Sequence, residues 1–195
     1  MRPIVVALCG LWLLSACAQQ APEEAATKGV TSLPDAPKST PERPIVIIET
    51  DSGRIVTEFY PAVAPITCDS ILSLVNQGFY NGLTFHRIVP NFVIQGGDPL
   101  GNGTGNAGFQ IPAEFSSRPH VEGTLSMARA SDDINSSSCQ FFICLAAVPH
   151  LDGNYNLFGQ VIEGMDVVHK LARVPTGAAS MPVQPVVIRR MFENK

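Results

Sequence analysis

The feature that most constrains this chain is a succession of short runs rich in β-branched and aromatic residues, separated by turn residues, with only two stretches of helical periodicity. Ile45 to Thr50 and Arg54 to Tyr60 are the first two runs, and Asp51-Ser52-Gly53 between them reads as a hairpin turn. Further strands are expected around Arg87, near 92–95, 123–128, 140–145 and 157–162, and a closing one from Val183 to Met191. One helix is expected after Pro65, with Thr67 as its cap and Asp69 near its positive end. Its buried stripe is Cys68, Ile71, Leu72 and Val75, and Gly78 ends it. A second runs from Gly164 to Arg173 on a stripe of Met165, Val168, Leu171 and Ala172. The chain therefore reads as mainly β, and many short strands with two helices point to a closed antiparallel barrel, which removes exposed edges.

Within this pattern, Phe85 to Pro99 carries chemistry. It sets Arg87 and Gln95 in otherwise apolar, strand-like sequence, broken by a Pro90-Asn91 bend and closed by Gly96-Gly97. A cation is costly to bury unpaired, so Arg87 is expected to look outward. A guanidinium with five fixed donors beside Phe92 and Val93 suits an uncharged carbonyl approached from an apolar pocket. The surface so formed fits a neutral peptide group.

Other readings are excluded. Gly103-Thr104-Gly105-Asn106-Ala107-Gly108 fits a dinucleotide-binding spelling, but Pro112 follows and no helical periodicity does, so it reads as a turning loop. His86, His120, His150 and His169 lack metal-ligand spacing, and no metal or other cofactor is expected. No serine has the strand–turn–helix setting of an α/β-hydrolase nucleophile. The net charge of −4, with no basic stripe, argues against nucleic acid.

The stretch FHRIVPNFVIQGGDP, followed by LSMAR (Leu125 to Arg129), QFFI (Gln140 to Ile143) and LDGNYNLFG (Leu151 to Gly159), resembles the signature of the cyclophilins, cyclosporin-binding peptidyl-prolyl cis-trans isomerases. The resemblance covers residues 45 to about 192. It implies a closed barrel of eight antiparallel strands with a helix capping each end. It also implies rotation about X-Pro bonds, with Arg87 as the catalytic donor and proline-containing segments of folding proteins as partners. Phe92, Val93, Phe142 and Leu151 would form the proline pocket, with Phe141 turned to the interior. Gln95, Gln140 and the backbone of Ala128 and Arg129 would hold the flanking residues, and the Gly103 to Gly108 loop would edge the groove. Asn154-Tyr155 would sit on the loop closing the pocket, with the Tyr155 hydroxyl at its rim. The chain departs from the cyclosporin-sensitive pattern in carrying His150 for tryptophan, Tyr155 for histidine, Val93 for methionine and Arg129 for asparagine. The Ser131 to Ser138 loop is slightly lengthened. Cyclosporin binding is accordingly expected to be weak at most. A rival reading is a proline-peptide-binding, chaperone-like module that does not depend on turnover.

Residues 1–16 read as a secretory leader, with Met1-Arg2 followed by an apolar run too short to span a membrane comfortably. Leu14-Ser15-Ala16-Cys17 resembles the lipobox of bacterial lipoproteins. That likeness implies a lipidated Cys17, held stably on a membrane by more than one acyl chain. Ala18 rather than aspartate after Cys17 resembles the sorting pattern of outer-membrane lipoproteins, and the domain is expected to face the periplasm. Residues 17–44, carrying Pro22, Pro34, Pro37, Pro41 and Pro44 and few large apolar residues, read as a disordered tether, leaving 45–195 as the domain. Cys68, Cys139 and Cys144 remain there, expected as buried, unpaired small hydrophobes. Cys139 and Cys144 have opposite strand parity, so their side chains belong to different faces.

Overall fold

The computed structural model describes residues 42–195, so the leader, Cys17 and most of the expected tether lie outside the described residues. The strands are β1 (Ile45–Thr50), β2 (Gly53–Phe59), β3 (Arg87–Val89), β4 (Val93–Gly96), β5 (Thr124–Met127), β6 (Phe141–Cys144), β7 (Leu157–Glu163) and β8 (Ile188–Glu193). Helix α1 (Pro65–Asn76) follows β2, and α2 (Met165–Leu171) follows β7. All strand pairs are antiparallel, in the order β3-β4-β6-β5-β7-β2-β1-β8.

The sheet curls but stays open, which corrects the expected closed barrel. Its end strands β3 and β8 do not pair with each other. The segment before β3 meets the start of β8 through a Thr84–Val187 bridge, where Phe85 N–H donates to Val186 O at 2.9 Å, Ile188 N–H to Leu83 O at 2.8 Å and Gly82 N–H to Ile188 O at 2.8 Å. Pro182 and Pro185 explain both this and the late start of β8 at Ile188 instead of Val183, since proline brings no N–H to a ladder.

Helix α1 is capped from a distance. Thr67 lies inside the helix, not at its cap, and Ala64 occupies the cap position without a side-chain bond. The Glu114 carboxylate accepts from Ile66 N–H at 2.9 Å, Thr67 N–H at 2.7 Å and the Thr67 hydroxyl at 2.7 Å. An anion there satisfies donors that the first turn cannot pair and complements the helix dipole. The buried stripe is Thr67, Cys68, Ile71, Leu74 and Val75, so Leu74 takes the place expected of Leu72, which is only partly buried. In α2, Val168 and Leu171 are buried while Met165 and Ala172 pack at the margin of the core.

The main core lies on one face of the sheet. Phe59 meets Phe158 edge-on at 5.1 Å, and Phe141 is met edge-on by Tyr80 at 5.7 Å and Phe85 at 6.0 Å. A smaller cluster of Val93, Phe142, Cys144, Val148 and Leu151 occupies the other face. The three cysteines are buried and unpaired, with Cys68 and Cys139 in the main core and Cys144 in the smaller cluster. Burial pushes the Cys68 and Cys144 thiols up to about 12 and the Cys139 thiol to about 11, so none is a ready nucleophile.

Candidate active site

Strand register assembles the site. Arg87 lies opposite Gln95, Gln95 opposite Phe142, and Phe142 opposite Ser126, so four strands set these residues in one row. The bend between β3 and β4 turns through Asn91 at φ 60°, a left-handed conformation that asparagine tolerates. It brings the Phe92 ring to 5.9 Å from the Arg87 guanidinium carbon. After β4, Gly97 at φ 83° lets the backbone pass where a Cβ would stand 2.8 Å from Cys139 O.

A chain of amides holds Arg87. Gln140 Nε2 donates to the carbonyls of Gly103 at 3.1 Å and Gly105 at 2.8 Å, which can only accept. Gln140 Oε1 therefore faces Gln95 and accepts from its Nε2 at 2.9 Å. Gln95 Oε1 is left to accept from Arg87 Nη1 at 3.2 Å. The guanidinium thus has a defined position, and its remaining N–H groups stay available to a ligand.

Beside it lies a hollow of about 190 Å³, lined by Arg87, Phe92, Val93, Gln95, Ala128, Arg129, Phe142, Leu151 and Tyr155. Phe142 stands edge-on to Tyr155 at 5.9 Å. A second hollow of about 380 Å³ adjoins it, sharing Gln95, Ala128 and Arg129 and reaching Gly103, Thr104, Ser136, Ser138 and Gln140. Nine of the residues read from the sequence therefore meet at the first hollow, and Gln140 lines the second. His150 lies outside the hollow and stacks on Phe92 at 5.6 Å between ring centres. Phe141 faces the main core, as its parity with Phe142 requires. The Gly103 to Gly108 stretch is a loop at the groove edge, and no α-helix follows it until α2.

Sequence reasoning missed His120. Its ring lies behind Phe142, 6.2 Å between ring centres, and is almost fully buried. Nδ1 lies 2.9 Å from Asp152 Oδ1, and Nε2 lies 3.1 Å from the Ser126 hydroxyl. Asp152 Oδ1 also accepts from the His120 backbone N–H at 2.7 Å, tying the loop that carries Leu151 and Tyr155 to the pocket floor. Burial holds the His120 pKa below the ordinary histidine value, against the opposing pull of Asp152. The His120 backbone N–H, its ring and its charge hold the Asp152 pKa below the usual carboxylate value. Asp98 was missed too. It accepts from Leu100 N–H at 2.9 Å, Asn102 N–H at 2.9 Å and Gly103 N–H at 2.5 Å, shaping the loop that Gln140 grips. Burial acts to raise the Asp98 pKa, but these backbone donors outweigh it and the net shift is downward. No local pattern marks either residue, because their partners are distant in sequence.

Comparison with known proteins agrees with this geometry. The family described as cyclophilin type peptidyl-prolyl cis-trans isomerase/CLD matches residues 45–193. The peptidyl-prolyl cis-trans isomerase ppi1 of Schizosaccharomyces pombe is 41% identical over 148 residues, covering 73% of this chain and 94% of that protein. A peptidyl-prolyl cis-trans isomerase of Synechococcus elongatus is 47% identical over 127 residues, covering 64% of this chain and 86% of its own length. The crystal structure of a cyclophilin type peptidyl-prolyl cis-trans isomerase from Cryptosporidium parvum, in the presence of the dipeptide Ala-Pro, superposes with a TM-score of 0.74. It is 31% identical, covering 77% of this chain and 99% of that one. The chain belongs to the cyclophilin-type peptidyl-prolyl cis-trans isomerases.

Proposed function

We propose that this peptidyl-prolyl cis-trans isomerase assists the folding of exported proteins, acting from a lipid anchor at Cys17 in the bacterial outer membrane and facing the periplasm. The anchor rests on Leu14-Ser15-Ala16-Cys17 at the end of a leader-like run, and on the proline-rich sequence after it. Replacing Cys17 by serine should move the protein from the membrane pellet to the soluble fraction. Continued sedimentation with membranes would refute the anchor.

In the proposed mechanism, Arg87 is the catalytic donor. An X-Pro bond is held by a rotation barrier of about 18–20 kcal/mol. As the C–N bond twists, the proline nitrogen becomes pyramidal and gains a lone pair able to accept a hydrogen bond. A donor fixed at that nitrogen binds the twisted state better than the planar one, and only such differential binding speeds rotation. A millionfold gain needs roughly 8 kcal/mol, which is within reach of positioning and electrostatics without covalent chemistry.

The observation that carries this assignment is the Arg87 guanidinium, held by Gln95 beside the apolar hollow. Phe92, Val93, Phe142 and Leu151 would grip the proline ring and exclude water. Gln95, Gln140 and the backbone of Ala128 and Arg129 would hold the residues on either side. The use of Ala-Pro with the Cryptosporidium relative is consistent with a proline peptide as the ligand here. NMR exchange of a short X-Pro peptide tests the assignment. The wild-type protein should broaden the paired cis and trans signals, and Arg87→Ala should not; full exchange with the variant would remove Arg87 from the mechanism.

A further inference from the structure

The protein carries a formal charge of −4, yet its groove is cationic. Arg87 and Arg129 line the apolar hollow, Arg129 also lines the adjoining polar one, and no aspartate or glutamate lines either. Among the described residues, neither arginine has a carboxylate within 4.0 Å. The other arginines of the sheet differ: Arg54 and Arg190 pair with Glu49, and Arg189 with Asp51. Charges of one sign gathered in a concave, partly desolvated site focus their field on what enters it.

Arg129 is held in place. Its Nε donates to Asn154 O at 3.0 Å and its Nη1 to Ala130 O at 2.8 Å. Its guanidinium carbon lies 4.7 Å from the centre of the Tyr155 ring. These contacts use Nε, Nη1 and one face of the guanidinium, and among the described residues Nη2 has no hydrogen-bond partner and is left to donate to a ligand. The polar hollow beside it offers Thr104, Ser136, Ser138 and Gln110 rather than an apolar lining. A hydrogen-bonding side chain fits such a surface, and an anionic one would balance the charge of the two arginines.

We propose that Arg129 is a specificity-determining residue that selects X-Pro segments carrying an aspartate or glutamate close to the proline, the acidic side chain entering the polar hollow. The inference rests on the groove assignment made under the proposed function. An exposed ion pair contributes little, so the preference should be only severalfold and should shrink with salt.

The test is a set of X-Pro peptides bearing glutamate, glutamine or lysine at each of the two positions on either side of proline, with kcat/KM read by NMR exchange. With the full-length wild-type protein at low salt, glutamate should exceed glutamine roughly threefold to fivefold at one position or more. The ratio should fall toward one in 0.5 M NaCl, a salt level at which the screening length is only about 4 Å. Arg129→Gln should bring the ratio to about one at low salt. Arg129→Glu should reverse the preference in favour of lysine, a gain that misfolding cannot imitate. A wild-type ratio near one at every position would overturn the proposal, as would a preference that survives Arg129→Gln. Absence of catalysed exchange with every peptide would bring down the groove assignment itself, and the inference with it.

Discussion

Phe141 and Phe142 are neighbours on β6, yet they belong to different parts of the molecule. Phe141 is sealed in the main core against Tyr80 and Phe85, whereas Phe142 floors a hollow open to solvent. The same division runs along β4, where Ile94 joins the main core and Val93 the site cluster. One sheet thus spends its inner face on stability and its outer face on binding. A one-residue change of register would exchange the two roles, because side chains alternate with a period of two.

The contrast can be broken most forcefully at Phe141. Phe141→Ala should cost about 3–5 kcal/mol of stability, measured by urea unfolding, because it empties a closed core site. Phe142→Ala should cost roughly half of that or less, since its site is already open on one side, but should lower kcat/KM more than Phe141→Ala does at a temperature where both remain folded. Equal losses of stability would erase the distinction between the faces.

Arg87→Ala tests the outer face alone. Loss of one donor aimed at developing charge typically costs a hundredfold to a thousandfold, about 3–4 kcal/mol, and kcat/KM should fall by that order. The thermal midpoint should barely move, because Arg87 makes one side-chain hydrogen bond and lies outside both apolar clusters.

Glu114→Gln is the inner-face counterpart of smaller size. It removes the charge that caps α1 while keeping an oxygen acceptor, and should lower stability by about 1 kcal/mol in urea unfolding with little change in kcat/KM. A large loss of activity would show that α1 and the groove are more closely joined than their separate faces imply.

The smallest effect concerns His120, which stands between the faces. Burial lowers its folded pKa, so the unfolded state binds more protons as pH falls below the ordinary histidine value of about 6.5. Stability should therefore be full above that pH and decline from there toward the lower folded pKa. His86 is lowered by burial too, with Asp98 opposing and Arg87 assisting, and contributes in the same direction. The depressed Asp152 pKa acts below the usual carboxylate range, outside this window. Unfolding midpoints between pH 7 and 5 should fall, and His120→Asn should flatten the slope without abolishing it. An unchanged slope would assign the whole effect to other groups.

Much of the site was legible because its residues cluster in a few segments of characteristic spelling. Arg87, Phe92, Val93 and Gln95 lie within one hairpin, and the alternation of Phe141 and Phe142 follows from strand geometry alone. His150 is expected in the pocket by likeness to a family position, but on the turn at Pro149–Leu151 it stacks on Phe92 and does not line the hollow. The helix positions were readable to within a turn, while the cap was not, since Glu114 reaches α1 across 48 residues of sequence from Ile66.

By itself, the sequence determined the strand and helix segments, the two faces of each strand and the residues available for chemistry, because periodicity and turn preference are local properties of the chain. Only the tertiary structure decided that the sheet stays open, that Glu114 caps α1, that His120 and Asp152 support the pocket from behind, and that the groove gathers two arginines without a carboxylate. Those outcomes depend on contacts between residues far apart in sequence, whose geometry no local pattern encodes.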